Sequence, residues 1–384
     1  MRVLYITHVN DMHGANRSLL QMIEELRSNH HVEPIVVCPQ ARSEEHLSIE
    51  QMCRQKGIEC HVAKMVLFKQ TTKNPTWGYK LRHFVALFRW TLYLLYQLKG
   101  VKFDMVHSNS SVIDMGAYIA MARRVPHIFH LREFGYEDFR LRPILGKAYE
   151  RWVYKKCTYA IAISRAIEQK FKSYFPHCIR LIYNGIVPKD ESLSATHHNS
   201  ITTFCIIGRL EPNKNQQEVI KACALLKHRT SLPFRLLLIG VGDESYTHSL
   251  QQMIADEGLQ QQVDFMGYRS DVPQILQGCD VGLMLSTNEA FGRVTVEYMM
   301  QNLAVIASNT GANPEIIKDG ETGIIYELGN VEQLAAKMQL LIEDHVLLMC
   351  LATKGKQRAY SHFTSLQNSE NVYKLYQTLH LTHD

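Results

Sequence analysis

The sequence lacks the motifs that mark several large classes of enzyme and metal-binding protein. Its nine cysteines include no Cys-x-x-Cys pair and no other metal-ligand spacing, which predicts free thiols in a reducing compartment. Neither G-x-G-x-x-G nor G-x-x-x-x-G-K-[ST] occurs, so hydride transfer with a dinucleotide and P-loop phosphoryl transfer are not supported. No Asp-x-Asp pair follows a predicted strand. We therefore predict a protein that needs neither a metal nor an organic cofactor.

Long hydrophobic segments are also absent. The longest candidate, residues 84–98, is interrupted by Arg89 and is shorter than the ~20 residues of a membrane span. Two interpretations are open: a helix packed on a sheet, or an interfacial helix that dips Phe88, Trp90 and tyrosines into lipid headgroups. The chain starts directly with a strand at residues 2–7, which leaves no room for a signal peptide and predicts a cytoplasmic protein.

Acidic residues are scarce in the first half of the chain. Residues 1–187 carry 27 Lys and Arg against 15 Asp and Glu, a net charge of +12, whereas residues 188–384 carry 15 and 22, a net charge of −7. A basic half favours an anionic partner. Because no nucleic-acid-binding motif is present, we expect an anionic membrane surface rather than nucleic acid. A peripheral position on the inner face of the membrane follows from this expectation.

The chain is long enough for two domains, since it has 384 residues. Short apolar strands alternate with amphipathic helices, which is typical of α/β proteins with parallel sheets. We predict two doubly wound, Rossmann-like domains that face each other across a cleft, residues 1–187 and 201–362. Residues 188–200 would link them, and residues 363–384 would form a helix that packs back on the first domain. The predicted strands lie near residues 2–7, 33–38, 58–63, 103–107, 126–130, 158–163, 179–183, 202–207, 234–239, 262–266, 280–285, 304–308 and 323–326.

The most informative segment, residues 288–297, places Glu289 and Glu297 eight positions apart around a Phe-Gly step. The apolar run at residues 280–286 predicts a buried strand, so Glu289 would lie at its carboxyl end, where open α/β sheets bind ligands. Glu297 would lie about two turns into the following helix, whose first amides could hold an anion. Two surface glutamates beside a loop are the alternative explanation.

Polar side chains follow two other predicted strands of the second half. Residues 208–215 place Arg209 and Lys214 in one short turn, and a fork-shaped cation together with a point cation suits a diphosphate. A solvated basic loop is the alternative. Further along, Asn313 and Pro314 stand where a helix N-cap and a first helical position are expected, and ordinary capping explains them without any function.

In the first half, Gly14 opens a helix after the first strand, a geometry that lets the backbone approach a phosphate. His107 and His130 end predicted strands, and His130 is the stronger candidate because Arg132 and Glu133 follow it in a polar loop. A single histidine at such a position is more often a hydrogen-bonded core residue, and this alternative stays open.

Taken together, these motifs resemble the GT-B glycosyltransferases, in particular the family-4 group of retaining enzymes that use nucleotide sugars. The resemblance covers essentially the whole chain. It implies that Arg209 and Lys214 clamp the donor diphosphate, that Glu289 contacts hydroxyls of the transferred sugar, and that Glu297 holds the ribose. His130 resembles a histidine near the donor sugar, which makes Glu289 and His130 the implied catalytic residues.

The resemblance assigns supporting roles to further residues. Gly14 resembles the glycine of a first loop whose backbone approaches the diphosphate, although the usual Gly-Gly doublet is His13-Gly14 here. The glycine that often follows the clamp lysine is Asn215. Amides of Gly292, Arg293 and Val294 would stabilise the diphosphate, and the loop containing Arg269 would receive the nucleobase of a UDP or GDP donor.

The implied activity is retaining, metal-independent transfer of a sugar to a hydroxyl of a lipid-linked saccharide, in cell-surface polysaccharide or glycolipid biosynthesis. The cationic clamp would take the place of a metal ion as charge builds on the leaving diphosphate. Two alternatives are open: a nucleotide-sugar epimerase on the same scaffold, which needs no acceptor, and a non-catalytic protein that binds nucleotide sugars.

Overall fold

A computed structural model of the chain describes residues 1–12, 14–41, 47–71, 74–188 and 201–381. The chain divides into two compact units. The first consists of Met1–Gly185 and Ser365–Asp384, and the second of Ile186–Thr364. Each unit has one parallel sheet with helices packed on it, so the predicted α/β class with two Rossmann-like units is confirmed. Except for residue 188, the predicted linker at 188–200 lies outside the described residues.

The first unit contains a seven-stranded parallel sheet in the order β3-β2-β1-β5-β6-β8-β9. The sequence anticipates all seven strands, but it misses a two-stranded antiparallel pair formed by β4 and β7. The strands are β1 Arg2–Ile6, β2 Glu33–Cys38, β3 Glu59–Val62, β4 Lys69–Gln70, β5 Met105–Ser108, β6 His127–Leu131, β7 Arg142–Pro143, β8 Tyr159–Ala162 and β9 Ile179–Leu181.

Helices cover both faces of this sheet. Successive β1 residues point to opposite faces: Val3 and Tyr5 pack on one side, and Leu4 and Ile6 on the other. Both faces are apolar, as expected for a parallel sheet buried on two sides. The helices are α1 Gly14–His30, α2 Ile49–Gln55, α3 Trp77–Gln97, α4 Met115–Arg123, α5 Tyr136–Phe139, α6 Lys147–Tyr154 and α7 Arg165–Phe171.

The second unit contains a six-stranded parallel sheet in the order β12-β11-β10-β13-β14-β15. The chain starts this sheet in the middle, at β10, and its next strands are added first on one side and then on the other. The point between β10 and β13 is therefore the topological switch point of the sheet. The strands are β10 Thr202–Ile207, β11 Phe234–Ile239, β12 Val263–Gly267, β13 Val281–Met284, β14 Ala304–Ser308 and β15 Ile324–Tyr326.

Among the described residues of the second unit, seven α-helices pack around its sheet. Leu334, Ala335 and Met338 of one of them, together with Val219 and Cys223 of another, contribute to one continuous apolar core. The helices are α8 Gln216–Arg229, α9 Glu244–Asp256, α10 Val272–Gln277, α11 Arg293–Met300, α12 Asn313–Ile316, α13 Val331–Glu343 and α14 His345–His362.

The last helix, α15 Ser365–Leu381, returns to the first unit and packs beside α1, as the sequence predicts. Its Tyr373 ring stacks on His30 with 4.0 Å between the ring centroids, and the Ser365 hydroxyl donates to Glu25 over 2.7 Å. Val372, Leu375, Tyr376 and Leu379 complete the apolar layer between α1 and the sheet.

Candidate active site

The switch point of the second unit brings together two of the predicted site residues. Lys214 lies on the loop that follows β10, and Glu289 lies on the loop that follows β13. The Lys214 Nζ is 3.3 Å from Oε2 of Glu289 and 3.2 Å from Oγ of Ser286. Both charged side chains are partly buried, with 29% and 20% of their surfaces exposed. A cation and a carboxylate thus line the crevice where doubly wound sheets bind ligands.

The backbone of Glu289 is fixed by the loop that follows β14. Gly311 has a φ of +56°, and a Cβ there would lie 2.2 Å from the carbonyl oxygen of Glu289. The amide of Ala312 donates to that oxygen over 2.8 Å. The hydroxyl of Thr310 donates to the Ser286 carbonyl over 2.7 Å. Only glycine combines this left-handed backbone with so close an approach.

The turn that carries Lys214 is tied to the same loop. Lys214 ends a 3-10 turn, Pro212–Lys214, and Asn215 follows it with a φ of +54°. The Asn215 amide donates to the Leu285 carbonyl over 2.7 Å. Asparagine tolerates left-handed backbone better than most residues. Asn215 is therefore compatible with this turn.

Helix α11 begins four residues after Glu289, at Arg293. Gly292, its N-cap, has a φ of +81°, and its amide donates to Oε1 of Glu289 over 3.2 Å. Arg293 and Val294 form the first positions of the helix. Glu297 is its fifth residue, so the predicted depth of about two turns is wrong and the true depth is slightly over one turn. Its Oε1 lies 3.5 Å from Nη2 of Arg293.

Two predicted arginines lie on exposed loops of the same unit. The Arg209 side chain is 73% exposed, and its Nε lies 3.9 Å from Oε2 of Glu211. Arg269 donates twice to Asp271, over 2.8 and 2.6 Å. A groove beside these loops is lined by residues that include Leu210, Gly240, Val241, Glu244, Phe265 and Gly267.

Asn313 does not cap a helix as the sequence suggests. Helix α12 starts at Asn313 and its N-cap is Ala312. The Asn313 side chain instead donates to Oγ of Ser308 over 3.2 Å and lies 3.5 Å from Oγ1 of Thr295. It therefore connects the loop after β14 to α11, which the pattern of capping residues could not reveal.

In the first unit, Gly14 is the first residue of α1 and is exposed, whereas His13 lies outside the described residues. Strand β6 ends one residue later than the sequence predicts, so His130 is the fourth of its five residues. His130 is fully buried. Its Nδ1 lies 3.0 Å from Nε2 of His107 and 3.3 Å from Nη2 of Arg132. Burial, then the Arg132 charge, then His107 hold the pKa of His130 well below its usual range. His130 is therefore neutral.

Several residues that contact the predicted site residues are not predicted from the sequence. Ser286 contacts Lys214, and Gly311 holds the Glu289 backbone. Tyr376 approaches His107 from a helix that is distant in sequence. Ser286 and Gly311 each follow a predicted strand and could have been found from that position, but nothing in the sequence marks Tyr376. Within the described residues, no group of three or more His, Cys, Asp or Glu side chains is arranged to hold a metal ion.

Comparison with known proteins assigns both halves of the chain to glycosyltransferase families. Residues 12–190 match the family model described as Glycosyltransferase Family 4, and residues 194–362 match the model described as Glycosyl transferases group 1. The putative glycosyltransferase EpsD of Bacillus subtilis is 30% identical over 169 residues, which are 44% of this chain and 44% of EpsD. The match thus covers less than half of that protein.

A second relative aligns over more of its length. The UDP-Gal:alpha-D-GlcNAc-diphosphoundecaprenol alpha-1,3-galactosyltransferase of Escherichia coli is 24% identical over 308 residues, which are 74% of this chain and 78% of that protein. Among solved structures, Anabaena HepE in complex with UDP superposes with a TM-score of 0.79 and 21% identity, covering 99% of this chain and 100% of HepE. HepE therefore shares the fold.

Proposed function

Since the chain belongs to the family-4 group of GT-B glycosyltransferases, we propose that it transfers a sugar from a nucleoside diphosphate sugar to an acceptor hydroxyl. The observation that carries this proposal is the contact between Lys214 and Glu289 across the switch point of the second unit. A nucleotide-sugar donor has an anionic diphosphate, which a cation binds, and neutral sugar hydroxyls, which a carboxylate binds. Lys214 and Glu289 supply one group of each kind.

In this proposal, Lys214 changes partner when the donor binds. Its Nζ lies 3.3 Å from the Glu289 carboxylate, and a diphosphate carries more negative charge than one carboxylate. Lys214 would then contact the diphosphate and release Glu289 to the sugar hydroxyls. Arg209 is mostly exposed and lies on the same loop, so it can close on the diphosphate from the solvent side. Glu297 would hold the ribose.

Cations beside the diphosphate would stabilise the negative charge that develops when the bond between the sugar and the diphosphate breaks. The diphosphate leaves with growing negative charge, and preorganised donors near that charge lower the barrier. Lys214, Arg209 and the amides of Gly292, Arg293 and Val294 supply such donors without a metal ion. Glu289 orients the sugar and supports its developing positive charge. We propose retention, because the Escherichia coli relative is named for transfer from UDP-Gal to an alpha-linked product, and the galactose of UDP-galactose is itself alpha-linked to the diphosphate.

The groove between the loops that follow β10, β11 and β12 suits the nucleobase. Val241 and Phe265 give it apolar walls, and Gly240 and Gly267 keep its edge open to backbone contacts. The Arg269 guanidinium is engaged by Asp271, so Arg269 would act from the rim. A UDP donor is favoured, because the Escherichia coli relative is named for UDP-Gal.

Release of nucleoside diphosphate tests the activity directly. The protein would be incubated with UDP-, GDP- and dTDP-sugars, with and without a membrane extract as acceptor. A glycosyltransferase releases diphosphate fastest from one donor and only when an acceptor is present, beyond slow hydrolysis. Interconversion of free nucleotide sugars without acceptor would instead indicate an epimerase. Binding of a nucleotide sugar without any release would indicate a non-catalytic binding protein.

The acceptor in this proposal is a saccharide linked to a lipid, reached at an anionic membrane surface. The Escherichia coli relative is named for a diphosphoundecaprenol-linked acceptor. No helix among the described residues combines the length and hydropathy needed to cross a bilayer. In this proposal, contact with the membrane uses a surface of the folded chain.

Helix α3 offers such a surface. One face is buried against the sheet through His83, Leu87, Thr91 and Leu94. The opposite side is apolar and exposed over the whole length of the helix, a pattern that a helix packed only on a sheet does not need. We call this the outer face of α3; it consists of Trp77, Leu81, Phe84, Val85, Phe88, Leu92 and Tyr96.

The charge around the outer face favours a lipid partner over a second protein surface. The sequence has no Asp or Glu between Glu59 and Asp104, whereas the same stretch carries eight Lys and Arg. Arg82 and Arg89 lie on α3 and are exposed. Apolar rings beside cations match the boundary of an anionic membrane. Vesicle flotation with and without anionic lipid tests this assignment.

A further inference from the structure

Two arginine side chains of the first unit converge on one tyrosine. The guanidinium carbons of Arg140 and Arg142 lie 5.4 and 5.1 Å from the centroid of the Tyr136 ring. Nη2 of Arg142 also donates to the Tyr136 hydroxyl over 3.1 Å. The hydrogen bond from Arg142, then its charge, then Arg140 lower the pKa of Tyr136. All three residues are exposed, so a ligand can reach them from solvent.

The charge of this arginine pair is not neutralised by a neighbouring carboxylate. Among the described residues, neither Arg140 nor Arg142 forms an ion pair. Helix α5 carries two acidic residues, but Glu137 pairs with Lys170, and Asp138 accepts the Phe134 amide over 2.7 Å. Like charges that share one tyrosine repel each other. A bound anion would replace this repulsion by two attractions.

Local backbone structure fixes the positions of both arginines. Arg140 caps the end of α5 with a left-handed φ of +55°, and its amide donates to the Tyr136 carbonyl over 2.9 Å. Helix ends with this conformation favour glycine, so an arginine there keeps a costly backbone. Arg142 belongs to β7 and lies opposite Gln70 of β4. The two charges are therefore carried by ordered elements.

The arginine pair adjoins the first turn of α3. Gln70, the partner of Arg142 in the β4–β7 pair, accepts the hydroxyl of Tyr79 over 2.7 Å. Tyr79 is the third residue of α3, two positions after Trp77, which is 83% exposed on the outer face of α3. Phe139, at the end of α5, is 58% exposed. Exposed rings and uncompensated cations thus occur together at this end of the outer face.

We propose that Arg140 and Arg142 bind the diphosphate of a lipid-linked acceptor whose chain lies in the membrane that the outer face of α3 contacts. The proposal rests on the proposed function, in which the acceptor is a lipid-linked saccharide. Two guanidinium forks suit a diphosphate, because its oxygens accept several N–H groups at once. Apolar rings beside these cations match a ligand that is charged at one end and apolar at the other.

Vesicle flotation with two matched lipid mixtures tests the proposal. One set of phosphatidylcholine vesicles contains a polyprenyl diphosphate, and in the other set phosphatidylglycerol supplies the same charge. We expect the wild type to bind the diphosphate vesicles at least about tenfold more tightly, because only they offer a diphosphate to both guanidiniums. The double variant Arg140→Gln/Arg142→Gln should lose this preference and bind both sets about equally.

The matched control is Arg54→Gln/Arg180→Gln, which also removes two exposed guanidiniums from the first unit. The guanidinium carbon of Arg180 lies 4.8 Å from the centroid of the Tyr159 ring, so the control removes the same kind of arginine–tyrosine contact. It should keep the wild-type preference for diphosphate vesicles. Loss of the preference in both double variants, or in neither, overturns the proposal.

Two further measurements identify the ligand and the unit that binds it. Calorimetric titration with inorganic diphosphate covers the alternative source of the same anion. If Arg140 and Arg142 bind inorganic diphosphate but the wild type does not prefer diphosphate vesicles, the lipid assignment is wrong. If Lys214→Met alone abolishes the vesicle preference, the lipid diphosphate binds in the second unit and the proposal is overturned. An arginine-dependent preference in a protein that releases no nucleoside diphosphate from nucleotide sugars would uphold the lipid-diphosphate site and reject the proposed function.

Discussion

The ammonium group of Lys214 lies 3.3 Å from Oε2 of Glu289, although the two residues are 75 positions apart in the chain. The second oxygen of the same carboxylate accepts the Gly292 amide at the start of α11. One carboxylate therefore joins the turn after β10 to the first turn of a helix. In the proposed function, a donor that draws Lys214 away would change the contacts of Glu289, so replacements of the two residues should have different effects.

Replacement of Glu289 by glutamine should reduce turnover far more than donor binding. The amide keeps the size of the side chain and can still contact sugar hydroxyls, but it cannot support positive charge on the sugar ring. We expect kcat to fall by about 100-fold or more while the Kd for the donor stays nearly constant. Steady-state release of nucleoside diphosphate and calorimetric titration measure the two quantities. Glu321→Gln, at an exposed ion pair with Lys318, is the control, and near-normal turnover of Glu289→Gln would refute the assigned role.

Replacement of Lys214 by methionine should weaken both donor binding and turnover. The variant keeps an unbranched side chain but removes the charge that faces the diphosphate. We expect kcat/KM for the donor to fall by about 100- to 1,000-fold, the usual effect of losing one donor to a developing anion. Lys221→Met, on the exposed side of α8, should leave kcat/KM unchanged. If both variants retain the same kcat/KM, Lys214 does not contact the diphosphate.

The sequence predicts that Lys214 and Glu289 lie close together, because each follows a strand of the same parallel sheet. Carboxyl ends of parallel strands lie at one edge of a sheet, and both residues follow apolar runs that the sequence predicts to be strands and that form β10 and β13. The sequence places Glu297 too deep in α11, because the start of this helix depends on the left-handed backbone of Gly292, and composition alone does not fix such a conformation.

Contacts that depend on tertiary packing could not be predicted. Tyr376 reaches His107 only because α15 packs beside α1, and a helical pattern at residues 363–380 does not say which of its residues face a particular histidine. The side chain of Asn313 likewise bonds to Ser308 instead of capping α12. Capping residues have several local partners available, and the sequence does not select among them.

Replacement of Gly311 by alanine should disable the site through the backbone of Glu289. The new Cβ would lie 2.2 Å from the Glu289 carbonyl oxygen and 2.6 Å from its amide nitrogen, so the loop that carries the carboxylate must move. We expect turnover to fall by about 100-fold, since small displacements of a positioning loop are costly. Release of nucleoside diphosphate measures this loss.

Gly320→Ala separates the clash from ordinary backbone strain. Gly320 has a similar left-handed φ of +72°, but a Cβ there would meet nothing within 4 Å. This variant should lose about 1 kcal/mol of unfolding free energy and keep its turnover. Similar turnover of the Gly311 and Gly320 variants would show that the Glu289 backbone does not depend on Gly311.

Asp114 should make the stability of the protein fall as the pH rises. Its carboxyl group is fully buried, accepts the Tyr149 hydroxyl over 2.6 Å, and has an Oδ1 without a partner among the described residues. Burial raises the pKa of Asp114 from 3.8 to about 7. The folded state therefore binds the proton more tightly, so the neutral carboxyl stabilises it most at low pH. That contribution is lost progressively between the unfolded and folded pKa values.

The neutral variant Asp114→Asn should remove this pH dependence. Between about pH 5.5 and pH 8, the wild type should lose about 2 kcal/mol more unfolding free energy than the variant. Urea unfolding followed by circular dichroism at the two pH values measures the difference. Asp104 is an exposed carboxylate that accepts the Arg2 amide. The control variant Asp104→Asn should lose as much unfolding free energy between the two pH values as the wild type does. Parallel pH profiles for wild type and Asp114→Asn would contradict the prediction.

The double variant Phe84→Ser/Phe88→Ser should detach the protein from anionic vesicles. Both rings lie on the outer face of α3 and are 47% and 59% exposed, so their removal leaves the core of the unit unchanged. Each buried phenylalanine contributes about 1.5–3 kcal/mol to apolar contact, and we expect the partition coefficient to fall by at least about tenfold. Flotation with vesicles that contain anionic lipid measures it.

The matched control is Val346→Ser/Leu366→Ser, at residues that are 80% and 55% exposed elsewhere in the chain. This control should float like the wild type. Higher salt should weaken vesicle binding by the wild type and by this control, because salt screens the attraction of the exposed Arg82 and Arg89 to anionic lipid. A wild-type protein that ignores anionic vesicles but forms dimers, which Phe84→Ser/Phe88→Ser converts to monomers, would assign the outer face of α3 to a second copy of the chain. Equal flotation of all three proteins would leave the face without a role in membrane binding and refute the assignment.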